Sequence, residues 1–216
     1  MHPSISEDNG VAALTEQDKR VYSVGISSAA VAEIRMATAS PTRRIIATTI
    51  DPGGIKFATK KIQDAGLLEQ IEVKLEDIAA PLPYSEGSFD FVYARLVLHY
   101  LPRNSLIQAL KELHRVLKST GKIFIVVRST GCDAAKSNSS ILDSTTGMTT
   151  HTTGGTSYSR YFHSPESIQN YLISAGFQIE NLRTYEELLC VDFQRTQPAE
   201  QKDPLIEVLA RKWTAQ

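Results

Sequence analysis

Cysteine is scarce in this chain of 216 residues: Cys132 and Cys190 stand alone and far apart. Two such residues make neither a disulfide framework nor a ligand cluster, and they fit reduced thiols in a cytoplasmic protein. Long apolar runs are missing too. None approaches the length that crosses a bilayer, and the first ten residues lack the apolar core of a secretion signal. Neither sign of charge is in excess: 23 Lys and Arg stand against 24 Asp and Glu, a net charge of −1. That balance leaves no electrostatic footprint for nucleic acid or an anionic membrane, so neither is expected as a partner. The phosphate loop G-x-x-x-x-G-K, the zinc motif H-E-x-x-H and the nucleophile elbow G-x-S-x-G do not occur. No set of catalytic metal ligands is evident, so no metal is expected, and there is no internal repeat. What remains is globular: 42% hydrophobic and 22% charged residues, in a chain long enough to bury one full core without staples.

Residues 1–20 read as a mobile tail, and residues 21–216 as one domain. Within it, strand and helix patterns alternate. Residues 21–25 are a first strand candidate; residues 45–50 are β-branched and apolar, a second strand, and Asp51-Pro52-Gly53-Gly54 is the turn after it. Residues 55–65 read as a helix closed by Gly66, and residues 71–75 as a third strand ending at Glu76-Asp77. Residues 89–93 form a fourth strand. Leu106, Leu110, Leu113 and Leu117 then recur at the helical period, with Gly121 expected as a left-handed stop. Residues 122–127 read as a strand buried on both faces. Such β-α-β units predict an α/β fold with a mainly parallel sheet, whose ligands bind at the carboxyl ends of the strands.

From residue 129 to 159 the composition turns to Ser, Thr and Gly. It reads as a flexible insertion, with a lid over a substrate as the alternative. His151 lies inside it without an assigned role. Regular structure resumes with Ser164 as a helix cap and Pro165 at the first helical position. Gly176 stops that helix. Residues 177–182 alternate like a half-buried strand, and residues 205–210 form a last one.

The segments "GSFDFVYARLVLHYL" and "ALKELHRVLKSTGKIFIV" resemble the core of class I S-adenosylmethionine-dependent methyltransferases, in the small-molecule methyltransferase-domain (type 11-like) group. The resemblance runs from about Val21 to Lys212. It is good over residues 71–127, fair over 161–177 and poor at the amino-terminal glycine loop. It implies a Rossmann-like three-layer sandwich with a seven-stranded, mostly parallel sheet and an antiparallel last strand. It also implies S-adenosylmethionine as cofactor and methyl transfer to a small-molecule acceptor. The family's glycine-rich turn falls on residues 23–29, where only Gly25 is glycine. Ser27 and Ala29 replace further glycines, and Ser23 stands where an acid is usual. By the same resemblance Asp51 would accept the ribose hydroxyls, with Pro52 beside the adenine. Glu76 and Asp77 form the acidic pair at the adenine edge, with Ile78 beside the ring. Ala94 and Arg95 would border the methionine end, although Arg95 could equally pair with a neighbouring acid. Tyr158, Tyr161, Phe162 and His163 would contact the acceptor. If the acceptor must lose a proton, His163, Tyr161 and His99 are the candidate bases, His99 also reading as a packed helix-start residue.

The eroded glycine loop keeps a second reading open, a methyltransferase-fold binding or regulatory protein without catalysis. A nicotinamide-dependent oxidoreductase ranks lower, because the G-x-G-x-x-G fingerprint is missing. The Asn-Pro-Pro-Tyr and Asp-Pro-Pro-Tyr motifs of the resembled enzymes that methylate DNA and protein amides are absent. Oligomeric state, the acceptor and the methylated atom are not read from these residues.

Overall fold

The computed structural model describes residues 4–213 except 154 and 193. Seven strands form the central sheet: β1 (Arg20–Val24), β2 (Arg44–Thr49), β3 (Ile71–Leu75), β4 (Phe89–Arg95), β5 (Leu117–Arg128), β9 (Phe177–Cys190) and β10 (Pro198–Lys212). Their spatial order is β3-β2-β1-β4-β5-β10-β9. Strands β1 to β5 are parallel, and β10 runs antiparallel to both of its neighbours. The order reverses between β1 and β4. Chains from β1 and β4 therefore leave in opposite directions, and a crevice opens at their carboxyl ends. The α/β sandwich with an antiparallel last strand is the architecture the sequence implies.

Helices cover both faces of the sheet. On one face lie α1 (Ile5–Ala12), α2 (Val31–Thr38) and α3 (Pro52–Asp64), over a core that includes Val21, Ile45, Phe91, Tyr93 and Phe124. On the other lie α4 (Arg103–Val116) and α6 (Pro165–Ser174), over Val92, Ile123, Ile125 and Val208. The α4 stripe Leu106, Leu110 and Leu113 is wholly buried, each leucine worth about 1.5–3 kcal/mol of burial. Helix α3 starts with Pro52, and the Asp51 side chain accepts the Gly53 N–H at 2.9 Å. Helix α6 starts with Pro165 and a reciprocal Ser164–Ser167 cap. Both starts follow from the cap chemistry written in the sequence.

No helix joins β3 to β4. Two side chains of α4 pin the connecting loop instead. Arg115 donates to the carbonyls of Tyr84 and Leu82, at 2.6 and 2.9 Å, and Glu112 accepts the Leu82 N–H at 2.8 Å. Tyr84 then closes an aromatic cluster with Tyr22 and Phe89, its ring centroid 5.5 and 5.0 Å from theirs.

Three segments differ from the sequence reading. The first residues are not a tail. Helix α1 lies on the sheet so closely that a Cβ on Gly10 would meet Tyr93 at 2.4 Å. Ser4 and Ser6 of this segment are buried, and hydrogen bonds rather than a long apolar stripe hold it, so hydrophobic periodicity did not reveal it. Gly121 is not a helix stop. Helix α4 ends at Val116, Leu117 is already extended, and Gly121 sits inside β5. A Cβ there would lie 2.9 Å from the Asp90 carbonyl oxygen, so glycine serves close strand packing. The Ser/Thr-rich insertion is folded. It forms α5 (Asp133–Lys136) and a three-stranded antiparallel sheet of β6 (Ser140–Leu142), β7 (Thr149–Thr153) and β8 (Thr156–Arg160). Threonine suits a strand as well as a loop, and hydroxyl pairs such as Thr150–Ser159, 2.7 Å apart, join β7 to β8.

Candidate functional site

The turn after β1 starts at Gly25, whose φ is +75°. Its N–H and that of Ile26 both donate to the Thr48 carbonyl, which locks the turn against β2. The turn ends at Ala30, also left-handed, which caps α2 without any side-chain hydrogen bond. No capping side chain therefore takes up the N–H groups that open α2, although Glu33 in the first turn bonds its own N–H. Ser27 is half-buried within this turn, and its carbonyl accepts the Ala30 N–H. Ser23 is buried and donates to Glu33 of α2 at 2.5 Å. A carboxylate therefore stands beside the turn after all, supplied by α2 rather than by β1. Burial pushes the Glu33 carboxyl above the ordinary range, against the pull of the Ser23 hydrogen bond. Sequence reading missed Glu33, because a residue ten positions on signals nothing until the turn brings it back.

Asp51 stands exposed at the end of β2. One of its oxygens caps α3, while a Cβ on Gly54 would come within 3.0 Å of the other. The two glycines after Pro52 thus leave that carboxylate clear. Ile50 next to it is an unusually bare aliphatic side chain, 72% exposed, and Pro52 is exposed as well. At the end of β3, Asp77 is exposed and accepts the Ala79 N–H at 2.9 Å, while Ile78 is buried behind it. Glu76 faces inward. Tyr22 and Tyr84 each donate a hydroxyl to one of its oxygens, so this acid is already engaged by the protein. Burial, then Glu76, raise the pKa of both phenols.

Ala94 is wholly buried in the core beneath α4. Arg95 takes up the neighbouring acid that its position allowed. It donates to Ser6 and Ser4, at 2.7 and 2.9 Å, and pairs with Glu187 of β9 at 3.4 Å. Ser4 also donates to Glu187 at 2.6 Å. The start of the chain, the end of β4 and the edge strand are thereby tied together. Beyond Arg95, Leu96 is left-handed and Val97 lies against Gly25, 2.8 Å from where a Cβ would sit.

A second region opens further along the carboxyl rim, where α4 begins and β5 ends. A cavity of about 390 Å³ lies there under β6–β8, its walls including Arg103, Thr149, Tyr161 and Phe162. The Tyr161 hydroxyl is 2.7 Å from that of Tyr171. Tyr158 lies outside these walls. It pairs with His151 across β7 and β8, and the Arg160 guanidinium stacks on it at 4.4 Å. His163 and His99 are buried behind the cavity, and neither ring nitrogen of either residue has a partner. Burial holds His163 down at about 4 and His99 well below its ordinary value. Both rings are therefore neutral near pH 7, and of the three candidate bases only Tyr161 borders the cavity.

Comparison with known proteins bears on both regions. Residues 23–125 match the family described as "Methyltransferase domain". The chain is 36% identical over 89 residues to a demethylmenaquinone methyltransferase of Lactobacillus johnsonii, covering 41% of this chain and 35% of that protein. It is 32% identical over 82 residues to a ubiquinone/menaquinone biosynthesis C-methyltransferase of Blochmanniella pennsylvanica, covering 38% and 31%. The chain thus spans about a third of the length of these curated relatives. Among solved structures, a SAM-dependent methyltransferase from Methanosarcina mazei superposes with a TM-score of 0.72, at 18% identity and full coverage of both chains. That likeness extends the fold beyond the matched segment, to the edge hairpin of β9 and β10. Residues 23–125, which carry the crevice from Ser23 to Arg95, are thus the part of this chain that is similar to the methyltransferase-domain family.

Proposed function

We propose that this protein is a cytoplasmic enzyme that binds S-adenosylmethionine across the carboxyl rim and transfers its methyl group to a small molecule under β6–β8. One observation carries the reading: Asp51, exposed at the end of β2 beside the Gly25 turn, with one carboxylate oxygen left clear by Gly54. The remaining donors fit the cofactor. The uncapped start of α2 suits its carboxylate, Asp51 its ribose, and Asp77 the amino edge of its adenine, with Ile50 and Ile78 as apolar neighbours. Pro52 borders that adenine side. Glu76, Ala94 and Arg95 act behind this layer, as the acceptor, small packing residue and clamp described above. The free thiols of Cys132 and Cys190 suit a reducing compartment. Among the described residues no helix is long and apolar enough to cross a membrane.

The cofactor supplies a methyl group already activated by a sulfonium charge. The work left to the chain is alignment and exclusion of water. The β6–β8 sheet covers the acceptor, and Tyr161 and Phe162 bound it. An acceptor that carries a proton would release it to water through the Tyr161–Tyr171 hydroxyl pair, each hydroxyl giving up its own proton as it takes the next. His163 and His99 serve as neutral packing behind that pair.

Calorimetric titration with S-adenosylhomocysteine is the test. Saturable binding at one site is expected. Asp51→Asn keeps a helix cap but loses the charge, and it should weaken binding about tenfold to a hundredfold, the loss of a charge-assisted hydrogen bond of about 1.5–3 kcal/mol. A wild-type chain that takes up no S-adenosylhomocysteine would overturn the reading.

A further inference from the structure

The cavity under β6–β8 has a charge of one sign and nothing to balance it. Arg103 is the one charged residue in its walls, which also include Thr130, Ser140, Ser144 and Thr149. Arg103 pairs with no carboxylate among the described residues; its Nε is buried without an acceptor, and the groups beside its guanidinium are the neutral hydroxyls of Tyr161 and Tyr171. The acid of the overlying loop is not available to it. Asp143 spends its carboxylate on the N–H and hydroxyl of Thr146 and the N–H of Thr145. Arg128, further back, is already paired with Asp203.

The arginine is also held in place. Its backbone N–H donates to the Thr146 carbonyl at 2.8 Å, so the start of α4 and the lid carry it together. Tyr161, beside it, is anchored through the Tyr171 hydroxyl. A guanidinium keeps its charge at any working pH and offers a planar fork of donors matched to a carboxylate. A buried donor of that kind without an acceptor is a standing cost, relieved when a ligand brings the acceptor. Aromatic walls favour a flat apolar body next to the charge. A volume of about 390 Å³ is that of a small-molecule site.

We infer that this cavity selects a small aromatic carboxylate and seats its anionic group on Arg103. The inference rests on the methyl-transfer reading for its purpose, since it names the class of acceptor. Its physical basis, a cation with no anionic partner in an aromatic cavity, is independent of that reading.

The test uses the full chain and two probes of equal shape, 4-hydroxybenzoate and 4-hydroxybenzamide, titrated by calorimetry with and without saturating S-adenosylhomocysteine. The acid should bind at least about tenfold tighter than the amide, one charge-assisted contact's worth of discrimination. Arg103→Gln should abolish that preference while its affinity for S-adenosylhomocysteine stays at the wild-type value, which also shows that the variant is folded. Arg103→Lys should retain part of the preference. Equal affinity for acid and amide, no binding of either, or an acid preference that survives in R103Q would each overturn the inference. A chain that prefers the acid through Arg103 but ignores S-adenosylhomocysteine would support the anion site and sink methyl transfer. Binding of S-adenosylhomocysteine without any acid preference would do the reverse.

Discussion

Gly25 and Asp51 stand at the positions where backbone geometry narrows the choice of residue. Gly25 is left-handed and faces Val97 across a gap no Cβ can enter, 2.8 Å at the closest. Gly25→Ala should therefore lower unfolding stability by about 1–3 kcal/mol, read from urea midpoints, even without cofactor. An unchanged midpoint would mean that Val97 moves aside freely. Both residues were legible in the sequence because a turn after a strand declares itself locally. Glu33, Arg103 and the inward-facing Glu76 were not. Their roles depend on which side chain from another element arrives nearby, Ser23 for one and Tyr22 with Tyr84 for another. Cys132 shows the same limit. Burial lifts its thiol to about 11, so native alkylation should proceed at Cys190 first, a difference that mass spectrometry of briefly treated protein would detect.

Helix α1 carries more weight than its length suggests. It covers Tyr93 and Phe124, brings Ser4 and Ser6 to Arg95, and places Glu7 beside Arg35 and Arg195. Removing residues 1–13 would leave Arg95 and Glu187 without their serine partners and uncover an apolar patch. The thermal midpoint should fall by at least about 5 °C, measurable by calorimetry. Strands β1 to β5 and helices α3, α4 and α6 were readable from period and caps, with glycine stops marking the ends of α3 and α6 but not of α4. Helix α1 was not, since it packs through Gly10 rather than an apolar stripe and its polar contacts are long in sequence separation. The β6–β8 sheet was hidden by composition: Ser, Thr and Gly are compatible with a loop, and only cross-strand pairing distinguishes the two.

His99 and His163 give the whole molecule a pH response. Burial lowers the pKa of both in the folded state, His163 to about 4. The unfolded chain, with ordinary histidines near 6.5, binds more protons below that value. Stability is therefore complete above about pH 6.5 and falls as the pH drops toward the folded values, by up to about 1.4 kcal/mol per pH unit for each ring. His163→Phe should lose less stability than wild type between about pH 7 and about pH 5, whatever its starting value. Parallel losses in the two proteins would remove His163 as the source.

Strand β10 follows β9 in the chain yet lies between β5 and β9 rather than at a border. During synthesis the bare side of β5 has no companion until β9 has been passed and β10 has left the ribosome. That long wait exposes an apolar ribbon able to pair with another nascent chain. Production in cells should accordingly depend on chaperone supply and on slow translation at low temperature more than the finished protein's own endurance would suggest.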